Sequence, residues 1–186
     1  LPEQRKVARV LSKIQQVIEQ QDKIIEATKI LKKSLMQKLF TEGIGHTEFK
    51  ETEIEQIPKS WDVVRLGDIT EKTKQADPKR KPDNRFQYID VSSISNKIFK
   101  IVELKEYLGK DAPSRARKLV KTDDIIFATV RPYLKRVAIV PETLNGEICS
   151  TAFCVIRCKK NIMDPIFVFN YLLLDSFVDK VSELQR

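Results

Sequence analysis

Cys149, Cys154 and Cys158 carry the widest chemical repertoire in this chain, because a thiol can serve as nucleophile, metal ligand or disulfide partner. All three fall in the β-rich run Ile148-Cys149-Ser150-Thr151-Ala152-Phe153-Cys154-Val155-Ile156-Arg157-Cys158. In one extended strand Cys154 and Cys158 share a face and Cys149 points the other way, so the three do not converge on a common ion. The single His46 lies far away in the chain. Buried free thiols are therefore expected, with neither zinc nor a disulfide. The chain has no Gly-rich phosphate loop, no nucleophile elbow, no second His and no Asn-Pro-Pro-Tyr-like or Phe-x-Gly-x-Gly-like methyltransferase pocket, and its five Gly are too few for most such devices. No catalytic residue, metal or cofactor is expected. What remains suits binding.

Charge shows what could be bound. A net charge of +8 and a pI near 9.3 point toward a polyanion. Residues 72–85 (KTKQADPKRKPDNR) hold six Lys/Arg against two Asp in a Pro-containing loop. From Glu48 to Glu55, by contrast, four Glu stand against Lys50, a stretch that repels phosphates. Arg115, Arg117 and Lys118 form a second basic cluster, read most simply as a solvated face.

The elements that must position these groups are of two kinds. Val7, Val10, Leu11, Ile14, Val17, Ile18, Ile24, Ile25, Leu31, Leu35 and Leu39 recur in steps that favour one side of an α-helix. Pro2 suits the first turn and Gly43 the position past the last. Pro2 to Glu42 would span roughly 60 Å, more than the width of a small domain, so the stripe requires a partner helix. Gln21 and Thr28 interrupt it seven residues apart, which favours one register.

Beyond the helix, Trp61–Ile69, Phe86–Val91, Ile98–Leu104, Asp124–Val130, Arg136–Val140 and Glu147–Cys158 read as strands. Asp164-Pro165 then opens a helix with Ile166, Phe169, Leu173, Phe177, Val181 and Leu184 on one face. With 186 residues, 41% hydrophobic and 32% charged, the chain has room for one core and an appended element. It has no run of 18 apolar residues and no signal-peptide pattern, so a soluble cytoplasmic protein without a membrane partner is expected. The fold class is α+β: a long N-terminal coiled-coil-type helix (1–43), a linker (44–57) and a mostly antiparallel β-rich domain with a packing helix (58–186).

Leu1-Pro2-Glu3-Gln4-Arg5-Lys6-Val7-Ala8, the helix that follows, and its end Leu35-Met36-Gln37-Lys38-Leu39-Phe40-Thr41-Glu42-Gly43 resemble the conserved helical region of the DNA-specificity (S) subunits of type I restriction-modification systems. Ile57-Pro58-Lys59-Ser60-Trp61-Asp62-Val63-Val64-Arg65-Leu66-Gly67-Asp68-Ile69 is similar to the start of that family's target-recognition domain. Tyr88-Ile89-Asp90-Val91-Ser92-Ser93-Ile94, Asp124-Ile125-Ile126-Phe127-Ala128-Thr129-Val130-Arg131-Pro132 and Lys135-Arg136-Val137-Ala138-Ile139-Val140-Pro141 continue the pattern. Such subunits usually carry two recognition domains and two long helices, whereas this sequence has one of each. A half-subunit or a fragment, with its recognition domain incomplete at the C-terminus, is the expectation.

The resemblance implies a non-catalytic subunit that binds one half of a bipartite site in double-stranded DNA. Its spacer helix would pair with a second one, from the same full-length chain or a homodimer. Methyltransferase subunits, and through them a motor-nuclease subunit, would be its partners. Within that frame, Lys74, Lys79, Arg80, Lys81 and Arg85 are candidate phosphate binders. Ser92, Ser93, Ser95, Asn96, Arg131, Tyr133, Lys135 and Arg136 are candidate base readers, because Arg pairs bidentately with guanine and Asn with adenine. The helix-partner interface would be Val7, Leu11, Ile14, Ile18, Ile25, Leu31 and Leu35. The alternatives are a basic coiled-coil adaptor that binds protein without specific DNA contact, and a place in a fused restriction-methylation enzyme of another type.

Overall fold

A 40-residue helix with no buried residue, α1 (Pro2–Thr41), opens the structure, a computed structural model that describes residues 1–184. The expected end of the second domain, Gln185 and Arg186, lies outside the described residues. The chain divides into two units, Leu1–Trp61 and the residues from Asp62 onward. In the first unit Thr28, one of the two stripe interruptions, turns its hydroxyl back to donate to the Ile24 carbonyl at 2.8 Å. Gly43 ends the helix at φ +66°, and a Cβ there would come within 2.6 Å of the His46 ring, so both backbone and space require glycine. The hairpin of β1 (Phe49–Glu51) and β2 (Gln56–Pro58) follows, in a stretch expected as a linker. Thr52 fixes its turn by donating to the Glu55 carbonyl and accepting from the Ile54 and Glu55 amides.

The second unit is built on two four-stranded sheets. The first comprises β3 (Thr70–Glu71), β9 (Ile125–Ala128), β10 (Val137–Ile139) and β12 (Phe153–Cys158), in the order β10-β9-β12-β3, all antiparallel. The second comprises β4 (Arg85–Ile89), β7 (Lys105–Leu108), β8 (Ala116–Leu119) and β11 (Ile148–Ser150), in the order β7-β4-β11-β8, in which only β4 and β11 run parallel. A small hairpin, β5 (Ile94–Ser95) with β6 (Lys100–Ile101), stands beside them. Ile89, Ile94, Val120, Ile126, Ala128, Ala138, Val140, Cys149, Phe153 and Val155 form the main core, drawing on strands of both sheets. Two short helices complete the unit: α2 (Pro165–Leu172), capped by the Asp164 carboxylate, and α3 (Asp175–Glu183). Phe127, on the face of β9 opposite Ile126, meets Phe177 of α3 edge-on at 5.8 Å between ring centroids.

The α+β architecture and the mostly antiparallel sheet are as expected; several elements differ. No strand forms over Trp61–Ile69: Val63 and Val64 are exposed and a turn closes from Arg65 to Asp68, so the first strand of this unit starts at Thr70. The strand expected over Ile98–Leu104 shrinks to Lys100–Ile101, because Ile98 and Val102 face solvent. Glu147–Cys158 is not one strand. The Thr151–Ala152 turn divides it between the two sheets, placing Cys149 in a different sheet from Cys154 and Cys158.

The closing helix is two helices, and Ile166 and Leu184 are exposed ends rather than core positions. The break has a physical cause. Leu172, Leu173 and Leu174 are all buried, and three consecutive residues on one helix spread over about 200° and cannot all face one core. Interrupting the helix lets all three inward.

Asp124, fully buried at the entrance to β9, accepts both prongs of the Arg157 guanidinium of β12 at 2.8 and 2.7 Å, together with the Lys121 amide at 2.7 Å. That bonding raises the Arg157 pKa above its ordinary value, so the guanidinium keeps its charge at any physiological pH. Asp124→Ala would leave a largely buried guanidinium without its counter-charge. It is expected to destabilise the unit by about 3–5 kcal/mol, measured by urea unfolding. A loss under about 1 kcal/mol would show that solvent replaces the carboxylate.

Candidate nucleic-acid interface

The basic loop is held rather than loose. Ala76 donates to the Arg117 carbonyl at 2.7 Å, Leu119 donates to the Lys74 carbonyl at 3.2 Å, and Gln75 bridges Lys118, so residues 74–76 run along the outer edge of β8. A one-turn 3-10 segment, Pro78–Arg80, then packs on the Gly109–Asp111 turn, and Gly109 and Lys110 donate to the Asn84 and Pro82 carbonyls. A Cβ on Gly109 would lie 2.1 Å from the Lys81 carbonyl oxygen and 2.5 Å from that of Pro78.

Lys74, Lys79 and Lys81 are exposed on this frame. Arg80, 86% exposed at its side chain, lies 3.8 Å from Asp77, which also pairs with Arg117 at 2.6 Å. Arg85 pairs with Glu106 across β4 and β7. Arg117 and Lys118 are not the solvated face expected of them. Arg117 is committed to Asp77, and half-buried Lys118 donates to the Phe153 carbonyl, because strand β8 carries them against the loop and the core.

A second group gathers at one end of the sheets. β4 and β11 end side by side, with Ile89 paired to Cys149, and β8 starts opposite Ser150. Thr151 donates to the Arg115 carbonyl, and both the amide and the hydroxyl of Thr129, just past β9, donate to the Ala152 carbonyl. Arg136, preceding β10, reaches across to the Ile94 carbonyl, which ties the 129–136 turn to the 91–101 segment. The two stretches predicted as base-reading loops are thus neighbours. Their exposed members are Ser92, Asn96, Arg131 and Tyr133, and exposed Arg115 and Thr151 join them. Sequence reasoning read Arg115 as part of a solvated face and did not single out Thr151, because Ala116–Leu119 has neither β-branched residues nor clear alternation to mark a strand.

The remaining candidates are engaged internally. Ser93 is buried and its hydroxyl accepts the Asp90 amide in a capping box. The Ser95 hydroxyl accepts the Lys97 amide at 3.3 Å. Lys135 donates to the Leu173 carbonyl at 2.9 Å and to Asp175, and Arg136 to Ile94 as above. Arg131 (φ 54°, ψ 61°) and Lys135 (φ 49°, ψ 46°) both adopt the left-handed conformation, each at a cost of about 1–2 kcal/mol for a non-glycine residue. Among the described residues no group of three or more His, Cys, Asp or Glu could hold a metal. Burial pushes the Cys149 thiol up to about 12, leaving it a neutral, unreactive core group. Burial also raises the phenol of Tyr88, partly offset by its hydrogen bond with Ser150.

No family model matches the chain. It is 29% identical over 192 residues to the type I restriction enzyme MjaVIII specificity subunit of Methanocaldococcus jannaschii, covering 99% of this chain and 45% of that one. To the putative MjaX specificity subunit of the same organism it is 30% identical, with coverage of 92% and 40%. The chain therefore spans less than half the length of these curated relatives. The crystal structure of the HsdS subunit from Thermoanaerobacter tengcongensis matches 60% of this chain and 29% of its own, at 50% identity and a TM-score of 0.59. A chain from a structure described as the basis of complex assembly and conformational transition of the type I R-M system matches 62% and 30%, at 49% identity and a TM-score of 0.61. The chain belongs to the specificity subunits of type I restriction-modification systems.

The close approach at Gly109 provides a test of the held loop. Gly109→Ala is expected to destabilise the unit by about 1–3 kcal/mol by overpacking and to speed hydrogen exchange at the Lys81 and Asn84 amides first. Exchange that changes uniformly across the unit would mean that the loop is not separately pinned.

Proposed function

We propose that this chain recognises one half of a bipartite target in double-stranded DNA and, through α1, scaffolds the assembly that acts on it. The observation that carries the reading is the joining of the basic edge along β8 to the loop end of the sheets, by way of Arg115 and Thr151. Lys74, Lys79, Arg80 and Lys81 would hold phosphates, fixing position without reading sequence, while Arg131 and Asn96 would read base edges. Arg85, already paired with Glu106, would contribute less, and Ser93, Lys135 and Arg136 would support the readers from behind. Methylation would be done by methyltransferase subunits and cutting by a motor-nuclease subunit, with this chain catalysing neither and holding no cofactor.

The helix supports the assembly role. Eleven stripe residues from Val7 to Leu39 are between 44% and 61% exposed, and nothing in the first unit covers them. Pairing with a second such helix would cover the stripe and set the distance to a second recognition domain, a ruler of roughly 60 Å. Among the described residues no helix is long and apolar enough to cross a membrane.

Neutralising Lys79, Arg80 and Lys81 together is expected to weaken binding to all duplexes alike and to flatten the dependence of log K on log salt by up to about three units. A wild-type salt slope in the triple variant would reassign the loop to a solvated turn. Binding insensitive to both salt and sequence would favour the protein adaptor instead. Replacing Ile14, Ile18 and Ile25 with Asp should leave the sheet unit's melting unchanged while abolishing assembly, because charges in a helix seam are costly. Unchanged mass by light scattering, with and without the methyltransferase subunit, would count against the helix pairing.

A further inference from the structure

The tip between β9 and β10 is a preformed object. Pro132 is buried, and the turn closes with Leu134 donating to the Arg131 carbonyl and Lys135 to that of Pro132. Left-handed residues bracket it on both sides, conformations that a side chain with a Cβ adopts only when the surroundings impose them. Tyr133, 61% exposed, and Arg131 project from it. The restraint on the far side is the Lys135 ammonium. It sits where α2 gives way to α3, on the Leu173 carbonyl at the C-terminal end of one helix and the Asp175 carboxylate in the first turn of the next. A cation is favoured at the first of these places and an anion at the second. A continuous helix would take up the Leu173 carbonyl in its own ladder, so the break that buries three leucines also opens the socket.

We infer that Lys135 is a positioning residue for base recognition: docked in the α2–α3 socket, it holds Arg131 and Tyr133 in one fixed pose, so that sequence is read by a rigid tip. This rests on the DNA-recognition reading above. Lys135 itself touches no base. Its removal should cost discrimination between sequences, because a mobile Arg131 meets several bases equally well, and should spare the phosphate contacts made elsewhere.

The test is selection of binding sequences by the full chain from a library of duplexes with a randomised stretch, followed by titration of the selected and the random duplexes over a range of salt. Lys135→Asn suits the left-handed backbone and removes the ammonium. It is expected to lower enrichment of the wild-type motif at least tenfold, with affinity for random duplex and salt slope unchanged, and Lys135→Arg should restore the motif. Asp175→Asn, which leaves the bond to Leu173 in place, should give an intermediate loss and carries the test if Lys135→Asn melts the unit. A wild-type motif kept by Lys135→Asn overturns the inference. So does an equal loss on every duplex with a shallower salt slope, which would make Lys135 a phosphate contact. If the wild-type chain itself selects no motif, the recognition reading falls first and this inference with it.

Discussion

The second unit depends on satisfying one buried negative charge. Asp124 has no solvent exposure, and a carboxylate left without partners in such a place would bear the full cost of desolvation. Three donors prevent this, two from Arg157 and one from the Lys121 amide, while the Asp124 carbonyl accepts the Val140 amide. One residue thereby sets β9 against β12 on one side and against the exit of β10 on the other. Once those registers are set, the opposite strand ends follow: Ala128 faces Phe153, Thr129 reaches Ala152, and the tip at Arg131 emerges where the neighbouring loops converge. The placement of the tip at the far end of the sheet thus follows in part from the ion pair at the near end.

The two units meet the problem of apolar surface in opposite ways. From Asp62 onward the chain folds strands of two sheets around Phe153, Ile126 and Ile89 and closes an outer face with Phe127 on Phe177. The first unit leaves its largest apolar feature uncovered. The proposed pairing rests on this exposed surface, because a single row of Val, Ile and Leu at helical spacing suits another helix better than a flat sheet.

How much of this was legible in the sequence follows from how local each signal is. The long helix, its Gly43 stop, and the strands at Phe86, Asp124 and Arg136 rest on spacing and on β-branched content, which the chain carries plainly. So does the Asp164 cap. The α2–α3 break was hidden, because the stripe from Ile166 to Leu184 has good helical spacing, and only the core's shape reveals that Leu172, Leu173 and Leu174 all turn inward. Strand β8 was hidden because Arg115, Arg117 and Lys118 look like a soluble surface until Asp77 and the Phe153 carbonyl are brought beside two of them. Among the candidate readers, exposure separates Arg131, Tyr133, Ser92 and Asn96 from Ser93, Lys135 and Arg136. That division is set by contacts across the chain, such as Arg136 with Ile94, which no local pattern encodes.

The left-handed residues at Arg131 and Lys135 bear on how such a surface can change over time. The backbone path of the tip is fixed by a buried proline, a docked ammonium and bonds between main-chain groups, none of which depends on what the Arg131, Tyr133 or Ser92 side chains are. Exposed side chains away from caps and cores usually alter stability by no more than about 0.5 kcal/mol when exchanged. Mutational drift at Tyr133 and Ser92 is therefore nearly free of folding consequences; Arg131 is confined to residues that tolerate a left-handed backbone, and drift at Lys135, Asp175 or Asp124 is costly. A lineage carrying this scaffold could acquire new preferences by point substitution alone, keeping the same loop lengths and the same core.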